Sequence, residues 1–143
     1  MHKEFYESKV NKYAVKGNIL GKENAKVTIN VYSDYNCPFC KVVNIMIHKI
    51  AREKNILVHE INFPLDTNCN KKIGRTLGGH EASCLASKNA LAAEKQGKFW
   101  GVANVLFENQ PRNEEEIITQ IKDAHLNIDI EQLQKDAKNP DIE

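Results

Sequence analysis

The chain has 143 residues, 41% of them hydrophobic and 27% charged, enough apolar material for one domain with a buried core. Its 20 Lys and Arg against 19 Asp and Glu leave a net charge of +1, mixed along the chain, which gives no reason to expect nucleic acid as a partner. No apolar run approaches the length of a transmembrane helix, and the polar start Met1-His2-Lys3-Glu4-Phe5-Tyr6-Glu7 lacks the apolar stretch of a signal peptide.

Residues 1–17 are mixed in character and read as a loose lead-in with short extended pieces. Gly21-Lys22-Glu23-Asn24 reads as a turn. Val27 to Tyr32 is β-branched and apolar apart from Thr28 and Asn30, the pattern of a buried strand in a mostly parallel sheet. Cys37-Pro38-Phe39-Cys40 follows and opens a helix over Lys41 to Lys54. The broad apolar arc of Val42, Val43, Ile45, Met46, Ile47, Ile50 and Ala51 predicts that much of that helix is buried. Ile56 to Phe63 reads as a second strand ended by Pro64, which completes a right-handed β-α-β unit.

Leu65 to Gly79 is loop-like and holds Cys69. Four helices then follow in the pattern. Glu81 to Gln96 stops at Gly97, and a short helix begins with Phe99-Trp100, read as core anchors. A third is capped by Asn113, with Glu114, Glu115 and Glu116 as a solvated first turn and Ile117, Ile118, Ile121 and Ala124 on its apolar face. A fourth is capped by Asp129 and ended by Asn139-Pro140. The expected organisation is α/β, a single domain over 1–143, with a β-α-β core over 1–64 and a mostly helical insertion over 65–143.

The chemistry concentrates at Cys37 and Cys40. Two thiols at this spacing, opening a helix straight after a strand, have the layout of a redox-active dithiol/disulfide pair, because helix N–H groups and the helix dipole favour the thiolate. Half of a zinc site has the same spacing, and the strand–turn–helix setting favours redox chemistry over it. The first cysteine lies outside the helical turn and the second inside it. Cys37 is therefore expected to attack a substrate disulfide and Cys40 to resolve the mixed disulfide. Pro38 suits the first turn, where a missing N–H costs little. Phe39 offers the Cys37 thiolate neither charge nor hydrogen bond, so a less extreme oxidant than a C-P-H-C site is expected.

Gly21-Lys22-Glu23-Asn24-Ala25-Lys26-Val27-Thr28 and Tyr32-Ser33-Asp34-Tyr35-Asn36-Cys37-Pro38-Phe39-Cys40 together resemble the DsbA-like branch of the thioredoxin superfamily. Phe63 to Asn70, His80-Glu81-Ala82-Ser83-Cys84 and Gln96-Gly97-Lys98-Phe99-Trp100 look like the same branch, whose four-cysteine members include thioredoxin-like domains of vitamin K epoxide reductase homologues. The resemblance covers Gly17 to Glu143. It implies a thioredoxin-like fold with a helical insertion and thiol–disulfide exchange outside the cytoplasm without a bound cofactor. Implied partners are protein thiols or disulfides and a membrane quinone-linked redox partner.

Two departures from that pattern stand out. Family members often carry an acid six positions before the first active cysteine, a proton acceptor for the inner thiol, and here that position is Val31. The family also has a cis-proline, preceded by Thr or Val, that begins a β-hairpin. Pro38, Pro64, Pro111 and Pro140 do not fit that context, so the fold is expected to be incomplete at the C-terminal β-hairpin. Exposed strand edges invite pairing, so a homodimer or domain swap is expected. The rival reading is a non-catalytic or truncated thioredoxin-like binding or structural module.

Three readings of Cys69 and Cys84 stay open: a structural disulfide, a second redox pair relaying electrons, or free thiols. A disulfide closing a loop of about fifteen residues would stabilise by roughly 3 kcal/mol. Four cysteines favour an oxidising compartment, either periplasmic or membrane-tethered with the targeting segment absent from this chain; a cytoplasmic setting is the alternative. A zinc site drawn from Cys37, Cys40, Cys69, Cys84 and His80 is disfavoured by the wide split of the second pair, and no metal is expected. His80 reads as an exposed loop residue. His48 reads as half-buried or solvated, and His59 as partly buried, since only one of His59 and Glu60 can share a face with Leu57 and Ile61. Asp34, Tyr35, Pro38 and Phe39 are weaker candidates for a substrate groove.

Overall fold

The computed structural model describes residues 14–142. Of the lead-in expected over residues 1–17, residues 1–13 lie outside them. Four strands make one sheet: β1 (Ala14–Lys16), β2 (Ile19–Gly21), β3 (Val27–Ser33) and β4 (Ile56–Asn62), in the order β1-β2-β4-β3. Five helices follow from the crossover onward: α1 (Pro38–Glu53), α2 (Ser83–Glu94), α3 (Phe99–Asn109), α4 (Glu114–Asp123) and α5 (Ile130–Ala137). None of these is long and apolar enough to cross a membrane.

The sheet is mixed, where the sequence suggested a mostly parallel one. β3 and β4 run parallel in unbroken register from Val27↔Ile56 to Ser33↔Asn62, joined through α1 as expected. β2 is antiparallel to both β1 and β4. The β1–β2 hairpin turns at Gly17, which takes a left-handed φ of 50°. At Gly21, φ is 121° and an added Cβ would stand 2.4 Å from the Ile56 carbonyl oxygen, so only glycine lets the chain pass β4 this closely.

Ile56 and Val58 of β4, Leu20 of β2, and Ile47 and Ala51 of α1 join one core with the helical half of the molecule. Phe99, Trp100, Leu106 and Phe107 of α3 are buried as anchors of that core, and Trp100 Nε1 donates to the Ile19 carbonyl at 3.2 Å, tying α3 to β2. The caps read from the sequence are present. Asn113 accepts from Glu116 N at 2.9 Å and Asp129 from Gln132 N at 3.0 Å. Ile117, Ile118, Ile121 and Ala124 are buried, as their spacing predicts.

Two burial expectations are corrected. Among the described residues β3 is an edge strand, paired on one side only, and Tyr32 is 64% exposed, with Val27 and Ile29 also exposed. On α1 the Asn44, Ile47, His48 and Ala51 face is buried, while Val42, Val43, Met46 and Ile50 are exposed. An apolar pattern reports which faces can be covered, and on this side of the described structure nothing covers them.

Candidate active site

Cys37 is the N-cap of α1, in an extended conformation (φ −80°, ψ 119°), and Pro38 supplies the first helical residue. The Cys37 N–H donates to the Asp34 carbonyl at 3.1 Å, and the Cys37 carbonyl accepts from Lys41 N at 3.1 Å. Cys37 and Cys40 are free thiols of intermediate exposure. Cys40 packs against the core, and burial pushes its thiol up to about 11. Hydrogen bonding from the Asp34 main chain opposes the rise, while Cys37 and the Asp34 carboxylate add to it. Lys41 is turned away, its Nζ donating to the Glu108 carbonyl at 2.7 Å.

Of the four residues expected to shape a groove, Pro38 and Phe39 are exposed, Phe39 at 83%, whereas Asp34 and Tyr35 are buried. Those two act from beneath the surface. The Asp34 carboxylate accepts from Asn36 N at 2.7 Å and Ser83 Oγ at 2.7 Å on one oxygen, and from Leu65 N at 2.6 Å on the other. Asn36 Nδ2 donates to the Pro111 carbonyl at 2.7 Å, and Gln110 Nε2 to the Tyr35 carbonyl at 3.1 Å. The turn before Cys37 is thus fixed from the loop after β4, the start of α2 and the end of α3. The Tyr35 ring lies 4.6 Å from that of Phe107, and its hydroxyl donates to Asn62 Oδ1 at 2.9 Å. Burial, then Glu60, Asp34 and Glu94, hold the Tyr35 hydroxyl protonated well above its ordinary range.

Cys69 and Cys84 are bonded to each other, 15 residues apart in sequence, with Cα atoms 5.8 Å apart. Of the readings left open by the sequence, the bond removes the free thiols and is common to the structural disulfide and the second redox pair, and neither sulfur is a thiolate ligand for zinc. Asp66 is fully buried beside the bond. Its carboxylate accepts from Asn68 N at 3.0 Å, Thr76 Oγ1 at 3.4 Å and Cys84 N at 3.4 Å. A cavity of about 270 Å³ opens here between Phe63, Cys69, Cys84 and Leu91.

The histidines differ from expectation. His48 is buried, not solvated: Nε2 is 2.9 Å from Asn104 Oδ1, the ring meets Trp100 edge-on, and burial lowers it to about 4. His80 is also buried, its Nδ1 3.3 Å from the Gly78 carbonyl. His59 is half-buried as expected, but its neighbour Glu60 is the more deeply covered, 1% exposed on the face of Ile56 and Val58. The sequence reading singled out neither Glu60 nor Asp66. The strand period that put Glu60 opposite Leu57 was a signal for it, had the covered face been known.

Residues 14–143 match the family model described as Thioredoxin. This chain belongs to the thioredoxin family. It is 32% identical over 108 residues to disulfide bond formation protein D of Bacillus subtilis, covering 74% of this chain and 46% of that protein. It is 25% identical over 134 residues to a probable disulfide bond formation protein D of Bacillus cereus, covering 86% of this chain and 57% of that one. The chain therefore spans about half the length of these curated relatives. A thioredoxin-like oxidoreductase from Silicibacter pomeroyi superposes with a TM-score of 0.66 at 26% identity, over 87% of this chain and 64% of that one. The thioredoxin-like α/β fold expected from the sequence is the fold found, with five helices and a small mixed sheet among the described residues.

Proposed function

We propose that this chain carries the exchange site of a thiol:disulfide oxidoreductase, acting on protein thiols or disulfides. The observation that carries the reading is a pair of free thiols split across the first turn of α1, the outer at the N-cap and the inner packed against the core. Cys37, as thiolate, attacks a substrate disulfide, forms a mixed disulfide and expels one substrate thiolate. Cys40 then loses its proton and attacks the Cys37 sulfur, expelling the second thiolate and leaving a Cys37–Cys40 disulfide. Run backwards, the same steps oxidise a client dithiol. The direction follows the potential difference to the partner, for which about 30 mV corresponds to roughly 1.4 kcal/mol.

The Cys69–Cys84 disulfide supports an extracytoplasmic setting, periplasmic or membrane-tethered, with a membrane quinone-linked protein as the redox partner. The exposed β3 edge and the apolar outer face of α1 support a second reading, a binding module that pairs with another copy or another chain. An insulin-reduction assay separates the two. Turnover by the wild-type chain that Cys37→Ser abolishes supports the enzyme; no wild-type turnover supports the module.

A further inference from the structure

Cys69 and Cys84 both stand in the wall of the cavity of about 270 Å³ between the end of β4 and α2. Cys69 is partly exposed, whereas Cys84 is 5% exposed. Phe63, Leu91 and Ile142 give the wall an apolar character, and among the described residues lining it Lys88 alone is charged. Lys88 follows Cys84 by four positions on α2, so the two share one helix face a turn apart. Among the described residues its ammonium is engaged in no ion pair. The Asp66 carbonyl oxygen lies 3.3 Å from the Cys84 sulfur and 4.0 Å from the Cys69 sulfur.

We infer that the Cys69–Cys84 bond is a second exchange site, open to a small thiol that carries a carboxylate. The thiolate of that molecule enters the cavity and attacks the Cys69 sulfur, the more accessible of the two. A bond forms between the incoming sulfur and Cys69, the Cys69–Cys84 bond breaks, and Cys84 leaves as a thiolate. The incoming sulfur is oxidised to the mixed disulfide and Cys84 is reduced. Cys84 then takes a proton from water and donates its S–H to the Asp66 carbonyl that already faces it. Lys88 favours the step twice: it attracts the carboxylate of the incoming molecule, and it stands one helical turn from the thiolate that leaves.

The setting selects the size of the occupant. Cys37 lies at the surface beside the exposed Pro38 and Phe39, where a protein client has room to approach. Cys69 instead borders a cavity smaller than those that hold drug-sized ligands, which limits the attacking molecule to a compact one. Because Cys84 stays shielded in the first turn of α2, it remains beside its old partner after release. Its return attack on Cys69 expels the small thiol and restores the bond.

The test uses the Cys37→Ser, Cys40→Ser double variant, in which the second pair stands alone, so its outcome is independent of the exchange reaction proposed above. The probes are mercaptoacetate (anionic), mercaptoethanol (neutral) and cysteamine (cationic). For each, loss of the Cys69–Cys84 bond in the folded protein is followed by mass in acid-quenched samples. That rate is divided by the rate in the urea-unfolded chain, which cancels the intrinsic reactivity of the thiol. The divided rate should be about fivefold higher for mercaptoacetate than for mercaptoethanol, the factor that one charge pair a few ångströms apart in water supplies, and lowest for cysteamine. Lys88→Gln should remove that order, and peptide mapping should place the first adduct on Cys69. Divided rates that ignore charge, an order retained in Lys88→Gln, an adduct on Cys84, or a bond that yields only when the chain unfolds overturns the inference.

Discussion

Cys37 and Cys40 open a helix, whereas Cys69 and Cys84 tie a loop to the start of another, and the contrast lies in what surrounds the sulfurs. Each pair has a buried aspartate beside it. The Asp34 carboxylate spends its three accepted hydrogen bonds shaping the turn before Cys37 and accepts none from either thiol, both of which stay partly exposed and outside any disulfide. Asp66 accepts from Cys84 N itself and from both arms of the loop the disulfide closes. The same side chain thus serves reactivity in one place and immobility in the other. The two centres also touch, because Ser83, which binds Asp34, precedes Cys84, and Leu65, which binds Asp34, precedes Asp66.

The largest separation of the two pairs should come from serine substitution. Cys37→Ser should abolish insulin reduction, whereas Cys84→Ser should leave turnover measurable. In stability the order reverses: Cys84→Ser should cost roughly 3 kcal/mol in urea unfolding, because a loop of about fifteen residues regains its freedom in the unfolded chain. Cys37→Ser should barely change the unfolding midpoint. Asp34→Ala should blur the distinction, costing about 2–3 kcal/mol and slowing exchange together, since three donors on separate segments lose one acceptor.

Acid–base behaviour should be milder. Glu60 is raised in the fold from 4.5 to about 8, so its contribution to stability is complete below pH 4.5 and is lost as pH rises toward 8. His48 is lowered from 6.5 to about 4, so its contribution is complete above pH 6.5 and is lost as pH falls toward 4. The two slopes oppose each other between pH 4.5 and 6.5. Stability followed by thermal or urea melts should be flat there and decline by about 2 kcal/mol between pH 6.5 and 8. Glu60→Gln should remove that decline. The smallest effect is expected for Phe39→Ala, within about 0.5 kcal/mol in stability, since the ring is 83% exposed.

Local chemistry was legible in the sequence where the cause was local. The cysteine pair between a strand and a helix, the Asn113 and Asp129 caps, and the apolar face of α4 all depend on residues a few positions apart, and each is found as read. What depends on distant partners was not. Asp34 was read as a groove residue because its acceptors' donors, at Leu65 and Ser83, lie 31 and 49 residues away. The apolar run of β3 implied burial, but a strand's composition does not encode whether a neighbour stands on its far side. The β1–β2 hairpin, short and carrying one turn glycine, gave too few residues for a strand period to register.

The lone pairing of β3 has a signature in time as well as in space. From Leu57 to His59 the β4 backbone is paired with β2 on one side and β3 on the other, so the amides there open only when the sheet itself comes apart. Along β3 the amides aimed away from β4 meet no strand among the described residues. In heavy water, alternate positions from Val27 to Ser33 should take up deuterium far sooner than the residues between them, while β4 keeps its protons longest. That two-beat pattern would mark β3, the strand leading into Cys37, as an edge of the described sheet.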